Sequence, residues 1–530
     1  MSEPFADGVV PGGASTAHAD ETRHFRGSTV LLIGRFVGIA LDLATQVIIV
    51  RALSRTEFGA FAFGLSVASL SATVALLGLD KTIARFVPMY EEAGDGRRLA
   101  GSIVVAFGVV AAMCVAMILG LLGIQLLTGD EVVENELARQ MLLVLFLLTP
   151  VRAFDSLMTS TFAIFGSARS IAMRRHLVAP GLQLLVVVLV AAAAQPPPAM
   201  AIGYVIAGIA GLGLFATVLY RQLRDRGIID RIRRRDVDLP IRAILGFSLP
   251  LLSSDIVFLL RTSAIVIMLQ YFSDSAQVAA YGAVLPIARQ TLIVYQAFSF
   301  LFVPVSTRLY ARGEHERLRS MYWGSAVWIA VATFPVVAAT TVLAEPITVL
   351  LFGDDYRDAA AVLAILAIGL YVSAALGFNA LTLRVQGAVR LIVAVDIVAA
   401  AVSVVGSLLL LEPYGAVGAA IVMSTTLILQ NLLYQAGLLR SGVGWPDLRH
   451  VVVFAAIGLS LILLAAAQVA VHAGLVVGLI VIALVWLALV VGSRRTLELG
   501  RYFPELGRIP IVRDLVGVPR PGRGAGEGDA

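Results

Sequence analysis

The chain has 530 residues, of which 59% are hydrophobic and only 14% charged, with a mean hydropathy of +0.91 and a formal charge of +5. A soluble protein averages roughly 45–50% apolar and about 25% charged, so these charges are too few to cover the apolar chain in water. The single cysteine, Cys114, excludes an intrachain disulfide framework and a cysteine metal cage.

Residues 1–26 are polar, lack the apolar core of a secretory signal, and read as a disordered cytoplasmic leader. From Gly27 onward, apolar stretches follow one another, each long enough to cross a bilayer core of about 30 Å. They fall at 27–50, 58–79, 99–127, 139–166, 171–194, 199–220, 243–271, 278–307, 321–343, 359–383, 391–411, 414–439, 451–470 and 473–493. The expected fold is all-α and polytopic, with about fourteen transmembrane helices. Six form an N-terminal lobe over 27–220, and a basic cytoplasmic linker covers 221–242. Six more form a C-terminal lobe over 243–440, two further helices occupy 451–493, and a polar cytoplasmic tail covers 494–530.

The loop charges orient this array. With the N-terminus inside, cytoplasmic segments carry 32 of the 40 lysines and arginines, eight of them in the linker region from Arg221 to Arg242. Outer loops hold only Arg51, Arg55, Arg139 and Arg357, among acids such as Glu134, Asp354 and Asp358. A positive-inside bias sustained over every loop requires an even helix number with both ends inside.

An internal repeat is visible. Glu57-Phe58-Gly59-Ala60 opens the second expected helix and Ala280-Tyr281-Gly282-Ala283 the eighth. Those helices end in Phe86-Val87-Pro88 and Phe302-Val303-Pro304, before basic loops with Arg97-Arg98-Leu99 and Arg317-Leu318-Arg319. Six helices separate the copies, so both run the same way, as in a parallel repeat about an axis along the membrane normal.

Eight ionisable residues remain inside spans: Arg35, Asp42, Arg152, Asp155, Asp255, Arg261, Arg289 and Asp396. Each costs roughly 2.5–3.5 kcal/mol at the bilayer centre, so each must face protein or water. Arg35, Arg152, Arg261 and Arg289 are candidates for a cationic cavity, because a guanidinium fork binds two phosphate oxygens and never deprotonates. Asp42, Asp155, Asp255 and Asp396 are candidates for ion coupling or for counter-ions; Arg152 and Asp155, three apart, can pair directly. Gln296 and Asn379 are candidates for hydrogen bonds to sugar hydroxyls, with helix–helix bonding the competing reading. The six histidines have no metal-ligand spacing and there is no P-loop, so neither a metal nor another cofactor is expected. The run Arg231-Ile232-Arg233-Arg234-Arg235 suits anionic lipid head groups, and no nucleic-acid partner is expected.

Several segments carry a family likeness. Arg51-Ala52-Leu53-Ser54-Arg55-Thr56-Glu57-Phe58-Gly59 and Leu77-Gly78-Leu79-Asp80-Lys81 resemble the opening of polysaccharide-biosynthesis (O-antigen) flippases of the multidrug/oligosaccharidyl-lipid/polysaccharide (MOP) exporter superfamily. Leu351-Phe352-Gly353-Asp354-Asp355-Tyr356 and Pro413-Tyr414-Gly415-Ala416-Val417-Gly418 extend the resemblance to about residue 440. It implies a MATE-like arrangement of two six-helix lobes plus two C-terminal helices in a prokaryotic cytoplasmic membrane. It also implies a non-enzymatic role: flipping an undecaprenyl-pyrophosphate-linked oligosaccharide by alternating access. The implied partners are that anionic lipid-linked oligosaccharide, membrane lipids and polysaccharide-assembly proteins. The alternatives are a cation-coupled multidrug exporter of the same superfamily, or a membrane polysaccharide polymerase or ligase, for which the outer loops are short.

Overall fold

The structure is a computed structural model that describes residues 34–128, 136–165, 173, 177–376 and 378–493, with the backbone alone at 128, 250–254, 256–258, 260–262 and 300. The leader 1–26, the tail 494–530 and the loop arginines 169, 174 and 175 lie outside the described residues. Among the described residues every regular element is helical. In chain order these are α1 (34–52), α2 (Arg55–Leu76), α3 (Leu79–Glu92), α4 (Gly96–Thr128), α5 (Glu136–Phe146) and α6 (Leu148–Phe165). There follow α7 (Ala179–Ala192), α8 (Pro197–Asp225), α9 (Ile228–Arg233), α10 (Ile241–Phe272), α11 (Ser275–Ala288) and α12 (Ile293–Ala311). The remainder are α13 (His315–Val342), α14 (Ala344–Phe352), α15 (Ala359–Ala375), α16 (Phe378–Val385), α17 (Val389–Leu438), α18 (Leu448–Val471) and α19 (Leu475–Ser493).

Ten helical segments among the described residues are long and apolar enough to cross a membrane, against about fourteen expected. Part of the difference is a bend. Val389–Val443 is one apolar stretch of 55 residues, yet a Cβ on Gly406 would lie 3.2 Å from the Val422 side chain. A straight helix would separate these positions by about 24 Å. α17 therefore folds back on itself, at Gly415, where φ is 50° and ψ −128°. That reversal falls at the start of the expected span 414–439. The turn is tied down from α11 and the residues just before it. The Ala416 N–H donates to Gln277 Oε1 at 2.9 Å, and the Ser273 hydroxyl donates to the Leu411 carbonyl at 3.0 Å. One orphan donor and one orphan acceptor of the two arms are thereby satisfied. α1, α7 and α10 stand where spans 27–50, 171–194 and 243–271 were expected.

The chain divides into two compact units, Met1–Ala52 with Ser71–Val132 and Leu143–Leu252, and Leu53–Leu70 with Val133–Leu142 and Ser253–Ala530. In the first unit α3 packs on α4 and α6, and α6 on α8. Leu79, Ile83 and Val87 recur every four residues on α3, so one face is buried. They join a core with Ala106 and Val110 of α4, Phe162 of α6 and Phe215 of α8. The Phe162 and Phe215 rings sit 5.1 Å apart. The basic linker closes onto the start of α4. Arg97 and Arg98 reach Asp236 and Asp238, each at 2.9 Å, and a Cβ on Gly101 would lie 1.8 Å from the Asp238 carbonyl oxygen.

In the second unit α13 packs on α12, α15, α18 and α19. Val331 and Phe334 are buried there with Ile457 and Ile482, and the Trp486 indole donates to the Val331 carbonyl at 2.9 Å. The two repeat motifs meet in this unit. A Cβ on Gly59 would lie 1.7 Å from the Ser275 carbonyl oxygen, and one on Gly282 would lie 3.2 Å from Ala62 Cβ. The glycine that marks each copy thus sits at a close approach of α2 and α11. Two further sequence motifs form a clamp. Arg55 donates to Asp358 at 2.9 and 2.6 Å, to the Asp355 carbonyl at 2.7 Å and to the Ala276 carbonyl at 3.2 Å.

Candidate membrane-embedded polar groove

The first unit carries a groove of about 520 Å³ between α6, α7 and α8. On α6 it is lined by Arg152, Asp155, Ser156, Thr159 and Ser160. These alternate steps of three and one place all five on one helical face, a polar stripe on an apolar helix. Arg152 lies about 24 Å along the 30-residue apolar segment Glu136–Phe165, near its middle. α7 contributes Gln183, and α8 contributes Tyr204, Gly208 and Gly211. The Arg152 guanidinium and the Gln183 amide hydrogen-bond to the Tyr204 hydroxyl, and Asp42 of α1 is close enough for its charge to act there. Thr159 bonds back to the Asp155 carbonyl at 2.7 Å. A Cβ on Gly211 would meet no atom within 4 Å, whereas one on Gly208 would press on Leu148 and Val151.

The structure thus brings three expected residues, Asp42, Arg152 and Asp155, into one neighbourhood. Arg35, half-buried, lies two helical turns before Asp42 on α1, and Asp42 itself is exposed. Ser156, Thr159, Ser160, Gln183 and Tyr204 had not been singled out from the sequence. The stripe Arg-x-x-Asp-Ser-x-x-Thr-Ser was the signal available for the α6 residues.

In the second unit the expected residues serve different ends. Asp255 is half-buried on α10, and Arg261 lies on the same helix where only the backbone is described. Arg289 opens a 3₁₀ turn, Arg289–Leu292, between α11 and α12. It is exposed, as is Gln296 on α12. Asp396 is half-buried between the arms of α17, accepting from Gln430 at 2.5 Å and from the Tyr434 hydroxyl at 2.6 Å. Asn379 is fully buried and donates to the Asn431 carbonyl at 3.0 Å. Its amide joins α16 to α17 within the packed interior. Among the described residues no three His, Cys, Asp or Glu are grouped to hold a metal ion.

This is a multi-pass membrane protein with the fold of MurJ-type flippases and MATE transporters. Its structure is similar to the lipid II flippase MurJ in an inward closed conformation, with a TM-score of 0.65 and 15% identity over 90% of this chain and 99% of that one. It is also similar to an inward-facing MATE multidrug transporter of the MOP superfamily, with a TM-score of 0.64, 16% identity, and 78% and 98% of the chains covered. The MATE multidrug transporter DinF-BH gives a TM-score of 0.54 at 16% identity, covering 79% and 96%. At such identities the likeness is one of fold. No curated protein matches in sequence. The profile of the polysaccharide biosynthesis protein family matches residues 25–310, more than half of the chain, and the chain belongs to that family.

Proposed function

We propose that the chain is a flippase, not an enzyme, that carries a pyrophosphate-linked oligosaccharide on a polyprenyl (undecaprenyl) lipid across a prokaryotic cytoplasmic membrane. The observation that carries this reading is the family match over 25–310, on a fold shared with a lipid II flippase. In the proposal both termini are cytoplasmic, and the repeated halves 27–220 and 243–440 exchange access between the two sides. Arg289 is the cation best suited to the pyrophosphate. It is exposed at a break in a span, and an arginine at that depth faces water or a polar cargo, not hydrocarbon. Arg35 and Arg261 are further candidates for the phosphates, Asp42 and Asp255 for ion coupling, and polysaccharide-assembly proteins remain candidate partners.

A second reading, a cation-coupled multidrug exporter, draws on the likeness to MATE structures. Reconstitution separates the two. Liposomes holding the protein and a fluorescent polyprenyl-pyrophosphate oligosaccharide should protect part of the label from an external quencher, faster than protein-free liposomes do. Efflux of a cationic dye with no movement of the lipid-linked sugar would favour the exporter and overturn the flippase.

A further inference from the structure

We infer that the groove between α6, α7 and α8 is a carbohydrate subsite, which takes sugar rings of the cargo while the phosphates are held elsewhere. The inference rests on the flippase reading and refines it. Size is the first support: about 520 Å³ falls within the roughly 300–1,000 Å³ of small-molecule sites. The polar stripe from Arg152 to Ser160 runs about 12 Å along α6, enough to follow more than one ring.

Chemistry is the second support. The wall carries four hydroxyls, from Ser156, Thr159, Ser160 and Tyr204, and the Gln183 amide; that of Thr159 donates to the Asp155 carbonyl and keeps its capacity to accept. Hydroxyls and amides both donate and accept, as sugar hydroxyls require, whereas a phosphate asks for donors alone. Charge is the third. Arg152 lines the groove together with the Asp155 carboxylate, one charge of each sign. The groove wall therefore has no positive excess to draw a pyrophosphate, which a cluster of arginines would provide. At mid-membrane depth a charged and polar wall faces water or a polar cargo, not hydrocarbon, because an ionised side chain is costly there. Water fills it between turnovers, and sugar hydroxyls replace that water.

Cys114 is the only cysteine, so Ser160→Cys in a Cys114→Ser background gives a single reporter in the groove. In nanodiscs its reaction with a small water-soluble thiol reagent is timed with three probes. These are a polyprenyl-pyrophosphate carrying an N-acetylglucosamine trisaccharide, the same lipid without sugar, and the free trisaccharide. The glycosylated lipid and the free trisaccharide should slow labelling at least about fivefold, and the sugar-free lipid less than about twofold, as occupancy of a hydrogen-bonding site requires. Equal protection by the sugar-free lipid overturns the subsite, as does a thiol that never reacts. Absence of protection, with a wild-type chain that still flips the glycosylated lipid, overturns the subsite alone. Protection by free trisaccharide, with no lipid flipped, upholds the subsite and overturns the flippase.

Gly211→Leu supplies the second arm, since a Cβ at this groove position meets no atom within 4 Å. It should cut translocation of the glycosylated lipid by about tenfold or more, a change a filled pocket readily makes. Gly213→Leu, exposed and outside the groove, should translocate as the wild type does; equal loss in both overturns the subsite.

Discussion

Arg55 and Arg317 both lie near the ends of apolar spans and both meet a carboxylate, but over very different separations along the chain. Arg55 ties the start of α2 to the turn at 354–358 through a bidentate carboxylate contact and two backbone carbonyls. Arg317 pairs with Glu314, three residues before it. Arg55→Ala should therefore cost about 1–3 kcal/mol, since charged hydrogen bonds are lost and acceptors left behind. Arg317→Ala, which removes a local pair at an exposed position, should cost about 0–1 kcal/mol. Denaturant or thermal unfolding in detergent ranks the two, and equal shifts would refute the clamp. Arg55→Lys should recover only part of the loss, because an ammonium lacks the planar fork. Asp396 is held by Gln430 and Tyr434. Asp396→Leu removes that acceptor and should cost about 1–3 kcal/mol, while Asp396→Asn, which keeps an oxygen, should cost about 1 kcal/mol or less. The position of every one of these residues was visible in the sequence. The distant partners were not, because Arg55 and Asp358 are about 300 residues apart and no periodicity links them.

At the scale of elements, glycines set how closely helices approach. Gly59 faces a backbone oxygen 1.7 Å from where a Cβ would stand, and Gly282 faces side chains alone, Ala62 Cβ at 3.2 Å and Phe58 Cε1 at 3.8 Å. A backbone cannot yield as a side chain can, so Gly59→Ala should cost about 1–3 kcal/mol, as overpacking does. Gly282→Ala should cost a fraction of that. A reversed order in an unfolding titration would contradict the packing described. The motif containing each glycine was recognisable as a repeat from sequence; that the two copies touch one another was not, since a repeat states likeness without stating contact. The α6 stripe shows the opposite case. Its five polar residues recur at helical spacing, yet only the charged pair, Arg152 and Asp155, stood out against an apolar background; the three hydroxyl residues did not. Gln183 and Tyr204 stand alone on their helices and carry no such pattern.

For the whole molecule, the loop charges make a sharp expectation about sidedness. A green fluorescent protein fused after the tail should fluoresce, and an alkaline phosphatase fused within 354–358 should be active, because acidic loops face outward and arginine-rich ones inward. The reverse result would invert the membrane topology. The expected number of helices depended on reading 391–411 and 414–439 as separate spans, and the chain does turn there, at Gly415, the second residue of the latter. That turn has a consequence for how the protein is made. With so few residues at its tip, the hairpin leaves no outer loop to be exported on its own, so both arms must enter the bilayer as one unit. Asp396 lies seven residues into the first arm, and a carboxylate inside a span carries an insertion penalty that rises toward about 3 kcal/mol at the helix centre. Its hydrogen-bond donors, Gln430 and Tyr434, lie on the second arm and arrive in the same step. The tight turn thus delivers the charge and its donors together, and biogenesis never has to leave that carboxylate alone in lipid.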